Sequence, residues 1–200
     1  MEQYFTKKPS SERIDRILNV TFAGREFTFT ASSGVFSRNR LDFGTELLIN
    51  TLIEAEKDIK GKVLDLGCGY GPIGIILAAL NPSAGITMSD INERAVELAK
   101  ANSTACGTKN AEVVQSDGFE SINGNFDIIT TNPPIRIGKV NVTALIGSAS
   151  GHMLPGARFY AVIGKKQGAE SYLKIIASIF GNCEILRKKA GYHVLYAEKC

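Results

Sequence analysis

Hydrophobic and polar positions alternate along this 200-residue chain with two different periods, and the period changes at short intervals. A period of two is typical of strands, and a period near 3.6 is typical of helices. Close to the N-terminus the pattern predicts strands at 14–22 and 26–30 around a short turn that contains Gly24, which is typical of a β-hairpin. Leucine and isoleucine then recur at helical spacing, which predicts a helix over 43–55.

From residue 60 onwards, predicted strands and helices alternate. The strands lie at 62–66, 86–89, 112–115, 126–130 and 158–163, and the helices at 72–80, 92–106, 140–150 and 169–180. Such alternation implies right-handed crossovers and a mostly parallel sheet that is covered by helices on both faces. The last two strands, 183–188 and 192–198, are joined by a tight turn and must be antiparallel. The pattern therefore predicts an α/β fold whose sheet carries one reversed strand at its far end.

The composition, 44% hydrophobic and 22% charged, is typical of a globular domain and excludes a disordered chain. We expect one domain over 1–200, in which 1–42 form an N-terminal hairpin extension and 43–200 form the core. The longest apolar run, 73–80, is much shorter than the ~20 residues that a membrane span needs. Because the first residues also lack the apolar segment of a secretory signal, we expect a cytoplasmic protein without membrane contact.

The cysteines and histidines do not have the spacing of metal ligands. Cys68, Cys106, Cys183 and Cys200 are scattered without a C-x-x-C pair, and neither histidine has a cysteine or histidine at ligand spacing. We therefore expect reduced thiols and no metal. The net charge of +3 permits an anionic partner without requiring one.

A glycine-rich loop follows the first strand of the alternating segment. Glycines at the end of a buried strand allow a tight turn and let a ligand approach the backbone at a helix N-terminus. The spacing Gly69-x-Gly71-x-x-Gly74 also satisfies the dinucleotide fingerprint. The loop therefore suits both a nicotinamide cofactor and S-adenosylmethionine.

Three aspartates lie at the same predicted edge of the sheet as this loop. Asp90 ends the second strand, 19 residues after Gly71, where a carboxylate binds a ribose diol; the alternative is a helix N-cap, with Glu93 completing a capping box. Asp65, just before the loop, would repel a pyrophosphate and attract an ammonium or a sulfonium, which favours S-adenosylmethionine. Asp117, after the third strand, is placed to accept the adenine amino group, with a turn position as the alternative.

The segment Asn132-Pro133-Pro134 follows the strand at 126–130, on the same edge. Two successive prolines fix the backbone, and the Asn132 side chain and the Pro133 carbonyl can together accept both hydrogens of a planar amino group. Such a grip favours the pyramidal geometry in which the nitrogen lone pair points at a methyl carbon. The interpretation is methyl transfer to an amine without a metal or a strong general base; the alternative is a structural turn.

In the order and spacing of these residues the chain resembles the class I S-adenosylmethionine-dependent methyltransferases that modify amino groups. The motifs are Asp65-Leu66-Gly67-Cys68-Gly69, Asp90, Asp117 and Asn132-Pro133-Pro134. The segments 34–37, Gly-Val-Phe-Ser, and 41–48, Leu-Asp-Phe-Gly-Thr-Glu-Leu-Leu, are similar to those of the ribosomal small-subunit RNA (guanine-N2) methyltransferases, in particular their short single-domain members.

The resemblance implies a Rossmann-like class I methyltransferase fold with a seven-stranded sheet of order 3-2-1-4-5-7-6, in which strand 7 is antiparallel. It implies S-adenosyl-L-methionine as cofactor and the N2 amine of a guanine in 16S ribosomal RNA, free or in the small ribosomal subunit, as substrate. The cofactor-binding residues it implies are Thr45, Asp65, Gly67, Cys68, Gly69, Asp90, Ile91, Asp117, Gly118 and Asn132, and the catalytic residues are Asn132, Pro133, Pro134 and Ile135.

One position departs from the pattern of the broader family. Ile135 stands where an aromatic ring usually follows Asn-Pro-Pro and would stack on a flipped base, a contact of about 1–3 kcal/mol. Phe36 or Phe119 could take over this contact, with core packing as the alternative for each.

Basic residues fall in loops that should emerge near the cofactor edge of the sheet. We expect a monomer that contacts RNA, with solvated surface as the alternative, through Phe36, Arg38, Arg40, Arg136, Lys139, Lys165 and Lys166. Three other functions stay open: N-methylation of a protein glutamine or of adenine N6, a NAD-dependent oxidoreductase, and a non-catalytic RNA-binding module.

Overall fold

The computed structural model describes residues 12–35 and 40–200. The strands are β1 (Asp15–Phe22), β2 (Arg25–Ser32), β3 (Lys62–Leu66), β4 (Gly85–Asp90), β5 (Ala111–Gln115), β6 (Phe126–Thr131), β7 (Met153–Gly164), β8 (Glu184–Lys189) and β9 (Tyr192–Glu198). The helices are α1 (Phe43–Ala55), α2 (Pro72–Leu80), α3 (Glu93–Ala105), α4 (Lys139–Gly151) and α5 (Ala169–Phe180). Within these two ranges, no helix is long and apolar enough to cross a bilayer.

The seven later strands form one sheet in the order β5-β4-β3-β6-β7-β9-β8, and β1 pairs with β2 in a separate hairpin. Counted from β3 as strand 1, the order is 3-2-1-4-5-7-6, and β9 runs antiparallel to both of its neighbours. The predicted α/β fold, its reversed strand and its N-terminal hairpin are confirmed. Because β4, β3 and β6 pair in parallel at the centre, the loops that follow them lie side by side at one edge.

β7 begins at Met153, five residues before the predicted start at 158. Its pairing with β6 shifts register between Phe126 and Ile128, and this irregularity takes up the additional residues. The start of the strand is held from the other side, because the N–H of Gly156 donates to the carbonyl of Lys199 at 2.7 Å. The early part of β7 therefore depends on a contact with the end of the chain, which no local pattern reveals.

Two hydrophobic clusters cover the two faces of the large sheet. Along β3, Val63 belongs to the cluster that includes α1, α2 and α3, whereas Leu64 belongs to the cluster that includes α4 and α5. Successive side chains of a strand point to opposite faces, so neighbouring residues enter different clusters. The central strand is therefore buried on both faces, which is typical of parallel sheets.

The β1–β2 hairpin is fastened beside the glycine loop by Asn102 on α3. The side-chain oxygen of Asn102 accepts the backbone N–H of Thr30 at 2.8 Å. Its amide nitrogen donates to the carbonyls of Thr30 and Tyr70, both at 2.9 Å. The ring of Phe29 meets the ring of Tyr70 edge-on, with 5.9 Å between their centroids. Because Tyr70 belongs to the glycine loop, the hairpin supports that loop directly.

Candidate functional site

A cavity of about 690 Å³ opens at the edge of the sheet where β3, β4, β5 and β6 end. Its walls come mainly from the loops after these strands, with contributions from the first turn of α1 and from α4. The predicted site residues that line it are Thr45, Gly67, Cys68, Gly69, Asp90, Ile91, Asp117, Gly118, Asn132, Pro133, Pro134, Ile135 and Arg136. The described residues that were predicted for the site but do not line it are Arg40, Asp65, Lys139, Lys165 and Lys166. Phe36 and Arg38 lie outside the described residues.

The glycine loop needs glycine at two positions on the cavity wall. Gly67 and Gly69 have φ values of 74° and 58°, a left-handed conformation that favours glycine. A Cβ atom at Gly67 would meet nothing within 4 Å, so the requirement there is conformational rather than steric. The N–H groups of Gly67 and Cys68 both donate to the carbonyl of Ser89, at 2.8 and 2.9 Å. These bonds hold the loop against the end of β4.

Asp90 connects the glycine loop to the start of α3 through both of its carboxylate oxygens. Oδ2 accepts the N–H of Gly69 at 2.8 Å, and Oδ1 accepts the N–H of Asn92 at 2.9 Å. The N-cap of α3 is Asn92, whose side chain accepts from Ala95 at 3.2 Å, so the alternative that Asp90 is the N-cap is wrong. Burial raises the pKa of Asp90, and the N–H groups of Asn92 and Gly69 oppose that rise. A carboxylate oxygen accepts more than one hydrogen bond, which leaves capacity for a ligand hydroxyl.

Asp65 lies beneath the glycine loop and not in the cavity wall. Its side chain is completely buried, Oδ2 accepts the N–H of Gly74 at 2.9 Å, and Oδ1 has no partner among the described residues. Burial raises the pKa of Asp65 to about 7; the N–H of Gly74 opposes this rise, and the charge of Asp90 adds to it. The alternation along β3 predicts this burial. Residues two apart on a strand point to the same face, so Asp65 shares a face with the buried Val63.

The ionisation of Asp65 gives the fold a pH dependence. Its folded pKa of about 7 lies above the ordinary value of 3.8, so its contribution to stability is fully present below pH ~4 and is lost as the pH rises through 7. Asp65→Asn removes the charge and keeps an oxygen for Gly74. Between pH ~5.5 and ~8, the free energy of unfolding of the wild type should fall by about 2 kcal/mol relative to that of the variant.

Urea unfolding of both proteins at the two pH values measures this difference. Leu64→Val serves as the control. It replaces one uncharged buried side chain by another at the neighbouring position, so it should change the free energy of unfolding by the same amount at both pH values. A gap between wild type and Asp65→Asn that stays constant with pH would contradict a raised pKa.

The side-chain amide of Asn132 is held at its nitrogen end. Nδ2 donates to Oγ1 of Thr45 at 2.9 Å and to Oδ2 of Asp42 at 3.2 Å. Asn132 lines the cavity, and its Oδ1 is left as an acceptor. The carbonyl of Pro133 accepts the N–H of Ile135 at 2.8 Å, and one of its two lone pairs remains for a ligand. The Asn-Pro-Pro segment therefore presents two acceptor oxygens.

Asp42 is a site residue that the sequence pattern did not reveal. An aspartate three residues before a helical threonine is typical of an N-cap, and Asp42 does cap α1, with Oδ2 accepting the N–H of Thr45 at 3.1 Å. Its second contact, with Asn132, joins residues 90 positions apart. Only the tertiary structure brings these two together.

The apolar wall beside the Asn-Pro-Pro segment comes from the aliphatic side chains of Ile135, Ile137 and Leu145. Phe119 does not line the cavity; its ring stacks on the ring of His152, with 4.5 Å between centroids. Core packing, the alternative considered for Phe119, therefore describes its position. Ile137 ends a short 3-10 turn (Ile135–Ile137), and such a turn leaves no periodic signal in the sequence.

The predicted basic residues differ in whether they line the cavity. Arg136 lines it and is exposed to solvent. Lys165 and Lys166 are exposed in a 3-10 turn after β7 that ends at Gln167, itself a cavity residue. The ammonium of Lys139 donates to Oγ of Ser171 on α5 at 2.6 Å, and Lys139 does not line the cavity. Among the predicted basic residues that the structure describes, Arg136 is the one that lines the cavity.

Neutral polar atoms complete the lining. The hydroxyls of Tyr70 and Ser89 are buried in the cavity wall and have no partner among the described residues. Burial raises the pKa of the Cys68 thiol well above its ordinary value, which keeps it protonated. In the part of the chain that the structure describes, no cluster of histidine, cysteine and acidic residues could hold a metal ion. The site therefore offers hydrogen-bonding groups for an organic ligand.

Comparisons with known proteins place this site in a family context. A family model described as the methyltransferase small domain matches residues 26–196. The uncharacterized protein YbxB of Bacillus subtilis is 40% identical over 200 residues, which cover 99% of this chain and 98% of that protein. A ribosomal RNA small subunit methyltransferase C of Serratia proteamaculans is 38% identical over 168 residues, which cover 82% of this chain and 46% of that protein.

Among solved structures, the chain is similar to an RsmC 16S rRNA N2 methyltransferase of T. thermophilus in complex with AdoMet and guanosine. The TM-score is 0.84 at 30% sequence identity, over 96% of this chain and 52% of that one. The chain therefore spans about half the length of the small subunit methyltransferase C relatives that it matches.

Proposed function

The chain belongs to the methyltransferase small domain family, whose cofactor is S-adenosylmethionine, and from this premise we propose that it methylates the exocyclic N2 amine of a guanine in 16S ribosomal RNA. One observation carries the proposal: the amide of Asn132 is fixed at its nitrogen end, so its oxygen is offered to an amine in the cavity. Asn132 lines the same cavity as the glycine loop and Asp90.

The residues of the cavity fit the cofactor. Its volume of about 690 Å³ falls in the usual range of small-molecule sites. Asp90 ends β4 with acceptor capacity for a ribose diol, at the position where open parallel sheets bind one.

We assign the cofactor to the loops that follow β3, β4 and β5. The glycine loop brings backbone close to the ligand at Gly67 and Gly69, Asp90 and Ile91 hold the ribose side, and Asp117 lies exposed at the edge of the cavity, where it can accept the adenine amino group. Asp65, beneath the loop, acts on the cofactor only by supporting Gly74 and through its charge.

In the mechanism, the chain positions the target amine. Bound S-adenosylmethionine supplies a methyl group on a positively charged sulfur. Oδ1 of Asn132 and the carbonyl oxygen of Pro133 accept the two hydrogens of the exocyclic amine, which favours the geometry in which its lone pair points at the methyl carbon. As the amine nitrogen bonds to the methyl carbon, the bond between that carbon and sulfur would break, its electron pair would stay on sulfur, and S-adenosylhomocysteine would leave. The methylated nitrogen would then give up a proton to water, so the chain needs no strong base. Ile135, Ile137 and Leu145 enclose the base with aliphatic surface.

Guanine is favoured over the other amine substrates by one comparison, the RsmC structure whose ligands are AdoMet and guanosine. The test is transfer of labelled methyl groups to unmodified small ribosomal subunits and to free 16S RNA, followed by nucleoside analysis. N2-methylguanosine is the expected product. N6-methyladenosine, or label on a glutamine of a protein, would replace the proposed substrate. Calorimetry that detects NAD but not S-adenosylhomocysteine would instead favour an oxidoreductase.

The exposed Arg136 at the cavity wall is proposed to contact an RNA phosphate. Arg136→Glu should weaken RNA binding by about tenfold and should reduce the slope of log affinity against log salt by about 1. Lys188→Glu is the matched control, since Lys188 is exposed on β8 at the far edge of the sheet. Filter binding across a salt series measures both. If the slope were unaltered in Arg136→Glu, Arg136 would be a solvent-exposed surface residue that does not contact RNA.

A further inference from the structure

The start of α1 contacts the amide that is proposed to grip the substrate. We infer that Asp42 and Thr45 form a clamp that sets the orientation of the Asn132 amide, with Asp42 as a positioning residue for methyl transfer. The inference rests on the proposed function, because it assigns Asp42 a task in the same reaction.

Three hydrogen bonds define the clamp. Oδ2 of Asp42 accepts the N–H of Thr45 at 3.1 Å and also Nδ2 of Asn132 at 3.2 Å. Oγ1 of Thr45 accepts from the same Nδ2 at 2.9 Å. A carboxylate can only accept, so Asp42 determines which end of the Asn132 amide is nitrogen. The amide oxygen must then occupy the opposite side.

The backbone between the two clamp residues is adapted to this contact. A Cβ atom on Gly44 would lie 2.9 Å from Oδ2 of Asp42 and 2.9 Å from Cε1 of Tyr192. No side chain fits there unless the carboxylate or the ring moves. The ring of Tyr192 also packs against Phe43, with 5.9 Å between centroids. The sequence Asp-Phe-Gly-Thr therefore places two acceptor oxygens beside the nitrogen of the Asn132 amide, and of the two residues that carry them Thr45 lines the cavity.

The orientation of the amide decides what the substrate meets. With Nδ2 of Asn132 held by the clamp, Oδ1 is the atom offered to an amine, and it accepts one of the amine hydrogens. If the amide turned by half a rotation, it would present its own N–H groups to the amine and repel it. The oxygen of Thr45 is occupied by Asn132, so its hydroxyl hydrogen is left for an acceptor in the cavity, which Thr45 lines.

Two substitutions of Asp42 separate the clamp from the helix cap. Serine is an equally good N-cap but is too short to reach Asn132, so Asp42→Ser should fold normally and lose the second contact. Asparagine keeps an oxygen that can accept from both Thr45 and Asn132. We expect kcat to fall about tenfold in Asp42→Ser, with KM for RNA and the affinity for S-adenosylhomocysteine unchanged. Asp42→Asn should restore most of the lost rate.

A double-mutant cycle tests whether Asp42 acts through Asn132. In an Asn132→Ala background there is no amide left to orient, so adding Asp42→Ser should lower kcat no further. A merely structural role would make the two losses multiply. Multiplicative losses would therefore overturn the clamp.

The amide can also be observed without RNA. In NMR spectra of the full chain, the side-chain NH₂ signal that disappears in Asn132→Ala belongs to Asn132. Its exchange with solvent should be slow in the wild type and in Asp42→Asn, and about tenfold faster in Asp42→Ser and in Thr45→Val. Exchange that is indifferent to these substitutions would overturn the clamp.

These readouts keep the clamp and the proposed function apart. If the wild type transfers no methyl group to guanine but the exchange of the Asn132 amide becomes faster in Asp42→Ser, the proposed substrate is wrong and the clamp is supported. If guanine is methylated but the exchange is unaffected or the losses multiply, the clamp falls and the proposed function stands.

Discussion

Asn132→Ala is expected to lower the rate of methyl transfer by about 10²–10³-fold, the effect of deleting one preorganised polar contact in an active site. The substitution removes Oδ1, one of the two acceptors that the Asn-Pro-Pro segment offers to the amine. Cofactor affinity should stay near that of the wild type, because the glycine loop and Asp90 are untouched. Single-turnover transfer to RNA and calorimetry with S-adenosylhomocysteine measure the two quantities.

Asn141→Ala is the matched control for this experiment. Asn141 lies on α4, close to the same segment in sequence, and its amide donates to the carbonyl of Ile137 at 2.8 Å without lining the cavity. It should keep the wild-type rate. Unchanged turnover in Asn132→Ala would remove the amine grip from the mechanism, whatever the substrate is.

Asp90→Ala should weaken cofactor binding by about 10²-fold, equivalent to roughly 3 kcal/mol. Charge-assisted hydrogen bonds contribute about 1.5–3 kcal/mol each, and this carboxylate both serves the proposed ribose contact and holds Gly69 and Asn92. Calorimetry with S-adenosylhomocysteine gives the affinity, and a thermal melt of the ligand-free protein shows how much of the loss comes from the loop.

Glu120→Ala controls for the removal of an acidic residue near the cavity, since Glu120 is exposed beside Asp117 and does not line it. Its affinity should equal that of the wild type. If Asp90→Ala lowers the melting temperature but binds the cofactor normally, Asp90 only closes the turn and the ribose contact is wrong.

The fold could be predicted closely because its signals are local. β3 carries a short apolar run and α3 and α5 carry a helical period, and the alternation of strands and helices predicts a mostly parallel sheet, whereas the strand order is what the family resemblance implies. The exception is the start of β7. Leu154-Pro155-Gly156 shows no alternation of hydrophobic and polar residues, and its backbone is held by the hydrogen bond from Gly156 to Lys199, near the end of the chain. A contact of that range cannot be found by examining neighbouring residues.

The site was only partly predictable for a related reason. Motifs identify residues whose role depends on neighbours in the sequence, such as the glycine loop, Asp90 and the Asn-Pro-Pro segment. Asp65 was assigned to the cofactor by its charge, although the period of its strand directs it into the core. The local pattern does not reveal Asp42 or Leu145, because the cap of α1 explains Asp42 and the position on α4 explains Leu145 without a ligand. Their relation to the cavity exists only after the helices pack.

The three hydrogen bonds of Asn102 also constrain the order of events as the chain is made. Thr30 and Asn102 are 72 residues apart, so the hairpin leaves the ribosome long before the side chain that fastens it. The glycine loop is synthesised between them, and the carbonyl of its Tyr70 also accepts from the side chain of Asn102. Until α3 emerges, the contact between the rings of Phe29 and Tyr70 is not reinforced by these hydrogen bonds. The cavity wall at the glycine loop therefore depends on a contact between residues far apart in sequence, although the loop itself is a few consecutive residues.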